Sequence, residues 1–341
     1  MTAPLAVERV GFDALGDDWD ELALAARNVF GTRLWAETWW RHHGGGSELL
    51  LHACRRADGT LAGVLPLHLW RGRPLRVARF LGHPMGDELG PVCAPADRGA
   101  VAVAARDALA RAGVHVLLGE QLSPAGAWSG VLGGRAVARG STPLLRWEGG
   151  WEELLRARSR NFREQVRRRE RKLAKAHELA YRATTPETLE GDLDTLFRLH
   201  RARWGDASGF AVVEPFHRDV ARAAAARGWL RLWLLEVDGE PRAAWYGFRF
   251  AGAECYYQAG RDPDWEEWSV GFLVLVHSIR AAFDDGLSEY RLLRGGEEYK
   301  SRFSNEDPGL ETVLVGRGAL GRAAVAAAAA VPRGLARRVA G

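Results

Sequence analysis

At 341 residues the chain has the length of about two domains. With 47% hydrophobic and 26% charged residues it can bury a sizeable core, which sets aside a disordered or fibrous chain. The formal net charge is only +4, from 47 Lys and Arg against 43 Asp and Glu, so the chain is not basic as a whole and any basic surface has to be local.

The N-terminal "MTAPLAVERVGFDALGDDWDEL" has no basic start followed by an apolar run, which predicts no secretion signal. Cys54, Cys93 and Cys255 are too widely spaced for a metal or redox motif and read as packed, reduced thiols of a cytoplasmic protein. "RLWAETWWRHH" reads as a helix bearing aromatic residues. Residues 47–72 then read as strand, turn at Asp58-Gly59, and strand, because an Asp-Gly step between apolar runs is a hairpin signal. A third strand (76–82), the loop "GHPMGDELGPV", a helix (97–113) and a further strand (114–119) follow.

Residues 151–179 have another texture, rich in helix formers and free of Gly and Pro. From Arg156 to Lys175 there are ten basic residues against two acidic ones. Leu154, Leu155, Phe162, Val166 and Leu173 recur at near-helical spacing, enough to dock one face. A second helix is expected over 186–204, ending in His200, Arg203 and Trp204. The first pattern then recurs: helix (215–228), hairpin around Asp238-Gly239 (228–252), strand (254–260), acidic loop, helix (269–286), and a strand running into "EYRLLRGGEEYKSRFS". Two copies of one α/β unit are therefore predicted, carried by the order of elements and not by residue identity. The Ala-rich "AAVAAAAAV" (323–331) is too short to span a bilayer, so no transmembrane segment is expected.

The succession "SRNFREQVRRRERKL", "LFRLHRARW", strand–Asp-Gly–strand, "YYQAGRDPDWEEWSVGFLVLVHSI" and "LLRGGEEYKSRF", with "FGTRLWAETWW" and "GVLPLHL" earlier, resembles the CelD/BcsL acetyltransferase group of the GNAT superfamily. The resemblance covers about residues 10–315. That group is similar to the Fem-type peptidoglycan aminoacyltransferases, built from two tandem GNAT-like units with a helical insertion. It implies an α/β (α+β) fold of two such units, each a mixed, mainly antiparallel sheet flanked by helices. The boundaries expected are 1–145 for the first unit, 146–205 for the basic helical insertion, 206–315 for the second unit and 316–341 for an Ala-rich basic tail. The implied chemistry is acyl transfer to an amine, from acyl-CoA (acetyl-CoA first) or, on the Fem-like alternative, from aminoacyl-tRNA. A non-catalytic, GNAT-like binding protein is the third reading. The lettering, rich in Ala, Arg and Gly, suggests a bacterial source.

Acyl transfer needs a base, a polarised carbonyl, a holder for donor phosphates and relief for the leaving group. A helix N-terminus holds phosphates through its exposed N–H groups. Ser269, Val270 and Gly271 open such a helix, with Ser269 as N-cap and Gly271 allowing close approach. The usual Gln/Arg-x-x-Gly-x-Gly/Ala signature is missing, and Asp262, Asp264, Glu266 and Glu267 stand just upstream, where they would repel a polyanion. Glu297, at a strand end beside two glycines and an apolar core, is the candidate base, its pKa raised by desolvation. Tyr299 would protonate the leaving thiolate or hydrogen-bond the carbonyl oxygen, and Lys300 would hold a phosphate or a substrate carboxylate; the plainer alternative is a salt-bridged turn. The family pattern reads Arg-Gly-Asp-Glu-Pro-Tyr-Lys here, whereas this chain has Gly296 for the Asp and Glu298 for the Pro, so no role passes to Gly296.

Asp87, in the loop after the third strand, would face a cleft between the copies and bind a cationic amine. Trp204 would line the acceptor pocket, and of Tyr256 and Tyr257, which alternate across their strand, Tyr257 is taken as the one facing substrate. The Arg156–Lys175 run is either a solvated face or a contact for CoA phosphate, tRNA or anionic lipid. No zinc spacing, Gly-x-Ser-x-Gly elbow or phosphate-loop lysine is present, so no metal, serine-hydrolase or P-loop chemistry is expected. The acceptor is expected to be a small-molecule or sugar amine.

Overall fold

The computed structural model describes residues 4–330. In chain order the elements of the first part are β1 (Ala6–Arg9), α1 (Asp18–Ala25), α2 (Arg33–His43), β2 (Glu48–Arg55), β3 (Leu61–Arg71), β4 (Val77–Phe80), β5 (Val92–Cys93), α3 (Arg98–Arg111), β6 (Val116–Leu122), α4 (Trp128–Val131) and β7 (Arg135–Gly140). Then come β8 (Leu144–Arg146), α5 (Trp151–Arg156), α6 (Arg160–Ala176), β9 (Leu179–Ala183), α7 (Leu189–Trp204), α8 (Gly209–Val212) and α9 (Glu214–Ala226). The rest are β10 (Leu230–Val237), β11 (Glu240–Phe250), β12 (Ala253–Arg261), α10 (Val270–Asp284), β13 (Glu289–Arg291), α11 (Glu298–Phe303), β14 (Leu310–Gly316) and α12 (Gly318–Ala330).

The described residues divide into two compact units, the first of residues 4–141 with 308–330 and the second of residues 142–307. The first unit holds an eight-stranded sheet in the order β1-β2-β3-β4-β6-β14-β7, with β5 paired to β3. The second holds six strands in the order β8-β13-β12-β11-β10-β9. Pairing is antiparallel throughout except for β4 with β6 and β12 with β13, one parallel pair in each unit. Both copies of the anticipated pattern are therefore present, and both Asp-Gly steps are tight hairpin turns. Asp238 and Gly239 both take positive φ, as the turn between twisted strands requires.

Two expectations are corrected. The strand over 310–316 is not the end of the second unit: it lies between β6 and β7 of the first sheet, pairing Leu314 with Leu118 and Thr312 with Ala138. The basic segment is not one helix either. Ser159 breaks it, its hydroxyl accepting from the Phe162 N–H at 3.2 Å and starting α6 afresh. The segment belongs to the second unit, and residues 179–183 add an edge strand there that the sequence reading passed over. The "PRGLARRVAG" part of the anticipated tail lies outside the described residues.

Each sheet has its own core. In the first unit Leu65, Leu67, Phe80, Leu117 and Val313 pack with Val101, Ala105 and Leu109 of α3. In the second, Trp245 and Tyr290 pack against Leu273, Val274 and Ile279 of α10 and against Phe162, Val166 and Leu173 of α6. Burying a side chain of this size contributes about 1.5–3 kcal/mol. The other face of the second sheet is covered by α7, α8 and α9, where Phe210 meets Phe197, Tyr246 and Tyr257.

Candidate active site

The parallel pair of the second sheet is short. Ala253, Glu254 and Cys255 pair with Glu289, Tyr290 and Arg291, and there the ladder stops. Strand β12 runs on to Arg261, while the other chain turns away through Leu293 and Gly295, both at positive φ, into α11. The strands part, and the second half of β12 has no ladder partner on that side among the described residues. A bulge adds to the distortion: Tyr246 pairs with Gln258 but Gly247 with Tyr256, leaving Tyr257 as the extra residue. An unpaired strand edge presents backbone N–H and C=O groups to whatever enters the gap.

Helix α10 begins beside this gap. The N–H groups of Val270 and Gly271 precede its first acceptor, and the helix dipole makes its start electropositive. Ser269 does not cap it as anticipated: the residue is left-handed, with φ 58°, and its hydroxyl makes no cap bond. Its carbonyl instead accepts from the N–H groups of Phe272 and Leu273, at 2.9 and 3.1 Å. Val270 is fully buried. Gly271 stands against Arg261, whose Cδ would lie 3.2 Å from a Cβ at that position. The acidic loop is less repulsive than its letters suggest. Asp262 is paired with Arg242 at 3.0 Å and Glu266 with Arg261 at 2.8 Å.

Four polar side chains from three separate segments meet near the gap. The hydroxyls of Tyr256 and Tyr299 are hydrogen-bonded to each other, with Arg203 and Glu297 within electrostatic reach of both. Burial raises the pKa of both phenols. Tyr299 is held well above the ordinary phenol range, with Tyr256 and Glu297 adding to the effect of burial. Such a hydroxyl donates a hydrogen bond but releases its proton reluctantly.

Glu297 is the N-cap residue of α11, and its side chain folds back over Gly295, where any Cβ would collide with the carboxylate. The expected desolvation is not found: the side chain is 56% exposed and paired with Lys300 at 3.1 Å. Lys300 is itself buried, and its ammonium donates to the carbonyl of Arg294 at 2.6 Å. Its charge thus ties the Gly-Gly turn together instead of facing a ligand.

Of the two adjacent tyrosines it is Tyr256, not Tyr257, whose hydroxyl meets Tyr299. Tyr257, displaced by the bulge, packs its ring near Phe210, His217 and Phe248 on the opposite face. Trp204 remains 56% exposed at the end of α7. Asp87 belongs to the first unit and is buried there in the loop after β4. Tyr256 and Arg203 are the members that sequence reading left out of the site; their position one residue before Tyr257 and Trp204 carries no signal without the strand's bulge.

The first unit has the same parallel pair, Val77–Arg79 against Val116–Leu118, but its gap is filled. The chain after β4 returns, the Leu89 N–H donating to the Gln121 carbonyl at 2.9 Å and Leu89 bridging Leu122 in parallel. Arg79 and His83 both bind Glu120 across it. The open counterpart is in the second unit.

The basic helix α6 lies along α10. Arg169 stacks over Phe272 at 4.6 Å and Lys172 over Trp268 at 4.5 Å, so part of the charge lies at the start of α10. Arg160, Arg163, Arg167, Arg168 and Arg171 line an open surface groove, in which Glu164 is the one lining acid. Among the described residues no three His, Cys, Asp or Glu side chains come together to hold a metal. No described helix is long and apolar enough to cross a membrane.

Residues 160–301, spanning nearly all of this unit, match the family model described as the acetyltransferase (GNAT) domain. The match lies wholly within the second unit. No curated protein matches the chain. Among solved structures the chain is similar to FemX, with 11% identity and a TM-score of 0.62 over 91% of this chain and 96% of that one. It is similar to the C-terminal domain of a putative lysylphosphatidylglycerol synthetase from Agrobacterium fabrum, at 13% identity and a TM-score of 0.56 over 92% and 94%. L-PGS from Bacillus licheniformis gives 10% and 0.53 over 86% and 94%. At these identities the likeness is one of fold, and the fold is the tandem GNAT-like arrangement with a mixed, mainly antiparallel sheet in each unit.

Proposed function

We propose that the protein is an N-acyltransferase that moves an acyl group, acetyl in the first instance, from acyl-CoA to the amine of a small molecule or sugar. The observation that carries this reading is the parting of β12 from β13 beside the start of α10, with Tyr256, Tyr299 and Glu297 at its edge. The N–H groups at the start of α10, with Gly271 and Arg261, receive the donor's phosphates. Unpaired N–H groups of β12 polarise the thioester carbonyl and stabilise the oxyanion that forms on it. Glu297, exposed at the mouth, takes one proton from the acceptor's ammonium and so frees the amine lone pair that attacks, and the second proton of the nitrogen leaves to solvent as the amide forms. The C–N bond forms, the C–S bond breaks, and the Tyr256–Tyr299 hydroxyl pair hydrogen-bonds the departing sulfur while solvent supplies its proton. On this reading, as the resemblance to the CelD/BcsL group implies, the enzyme works in the cytoplasm and draws on its acyl-CoA pool.

Isothermal titration with acetyl-CoA tests it. Saturable binding of one equivalent is expected. The basic groove on α6 favours a second reading, an aminoacyl-tRNA donor held by its backbone phosphates. That reading is expected to give no acetyl-CoA binding and instead tRNA binding that weakens steeply with salt.

A further inference from the structure

A cleft that the proposed chemistry leaves unused opens where α6 begins against α11. Arg158, Ser159, Asn161, Gln165, Ser301 and Arg302 line it, together with Phe162. The lining holds two cations and four neutral hydrogen-bonding groups, and no carboxylate. Part of that hydrogen-bonding capacity is spare. The Ser159 oxygen accepts from the Phe162 N–H and the Asn161 oxygen from the Gln165 amide, which leaves the Ser159 hydroxyl proton and the Asn161 N–H groups to donate.

Arg158 stands between α5 and α6. Its guanidinium donates to the Ser304 carbonyl at 2.7 Å, which fixes the fork against the end of α11. It has no carboxylate partner among the described residues, and burial lowers its pKa from the ordinary guanidinium range. Arg302 is bonded to Glu298 at 3.2 Å, an exposed pair one turn apart on α11. Arg169, two turns along α6 from Phe162, adds a third cation. Its guanidinium lies 4.6 Å from the centroid of Phe272 and is close enough to Arg302 for the two to repel. Partly buried cations gathered in this way are stabilised by an anion.

The rings connect this cleft to the start of α10. Phe162 lies 6.1 Å from Phe272, in the first turn of α10, and 5.0 Å from Phe303 of α11. The cleft therefore adjoins the helix start where the donor's pyrophosphate is held. On acyl-CoA the group beyond the pyrophosphate is an adenosine bearing a 3′-phosphate. That phosphate is a monoester, with about two negative charges and three free oxygens, and guanidinium forks bind such oxygens through paired hydrogen bonds. The backbone phosphates of a tRNA are diesters with a single charge each, a poorer match to several arginines at one point.

We propose that Arg158 and Arg302, with Arg169 beside them, hold the 3′-phosphate of the acyl-CoA donor, so that the enzyme distinguishes CoA thioesters from their 3′-dephospho counterparts. The proposal rests on the acyl-CoA reading and adds the residues that recognise the nucleotide end. Isothermal titration of the full chain with acetyl-CoA and with acetyl-3′-dephospho-CoA tests it.

Acetyl-CoA is expected to bind about 10- to 100-fold more tightly than the dephospho compound, the worth of a charge-assisted hydrogen bond or two. In Arg158→Gln and in Arg302→Gln that preference is expected to shrink, through weaker binding of acetyl-CoA and unchanged binding of the dephospho compound. Arg302 is exposed, so its variant carries the test where Arg158→Gln disturbs the junction with α11. Equal affinities for the two compounds in the wild type overturn the proposal and leave the acyl-CoA reading standing. Variants that weaken both compounds alike show a structural role for the arginines and overturn it as well. Binding of neither compound removes the acyl-CoA reading and the proposal with it.

Discussion

Glu297 and Lys300 illustrate how a residue's role depends on where its charge is satisfied. One faces solvent at the mouth of the gap; the other is buried and donates to a backbone carbonyl. Gly295 makes both possible, since only a residue without Cβ tolerates φ +121° under the Glu297 carboxylate. Replacing Glu297 by Gln keeps the shape and removes the base. Turnover with acetyl-CoA and an amine is expected to fall about 100-fold, with acetyl-CoA affinity by calorimetry changed little. Unchanged turnover would transfer the proton to solvent.

At the scale of elements, the site depends on how closely α7 lies on β12. Gly260 is the contact: a Cβ there would be 2.5 Å from the backbone nitrogen of His200 and 2.7 Å from the carbonyl carbon of Leu199. His200, fully enclosed, fastens the same junction through the Ala259 carbonyl at 3.1 Å and the Ser208 hydroxyl at 2.9 Å. Gly260→Ala therefore has to push the helix off the strand. It is expected to destabilise the protein by about 2 kcal/mol, read from the denaturant midpoint, and to displace Arg203 and Trp204 with α7. A variant as stable as the wild type would show that the helix yields freely. The basic helix α6 is the complementary case. Its apolar residues, Phe162, Val166 and Leu173, were legible from their spacing and are buried, but which of its charges lie near α10 follows from Phe272 and Trp268, far away in sequence.

For the whole molecule the path of the chain matters most. After the second unit the chain returns to give the first sheet β14, which is bonded on both sides, to β6 and to β7. A chain ended at Asp307 lacks β14, leaves β6 and β7 with open edges, and uncovers the core residues that Val313 and Val315 pack with, Leu117 and Leu122 among them. It is expected to lose the cooperative melt of the first unit while limited proteolysis leaves a fragment near residues 142–307. An intact first unit in that truncation would mean that β14 is dispensable.

What the sequence by itself determined are the features set by neighbours along the chain: the Asp-Gly hairpins, the helices with one apolar face, the doubled order of elements, and the Gly-Gly step between β13 and α11. These depend on backbone preference and on the period of apolar residues, both local quantities. Only the tertiary structure decided which sheet receives β14, which of two adjacent tyrosines meets Tyr299, and that one gap is filled by Leu89 while the other stays open. Each of those depends on a contact between residues distant in sequence, where a single bulge or a returning loop changes the partner without changing the pattern.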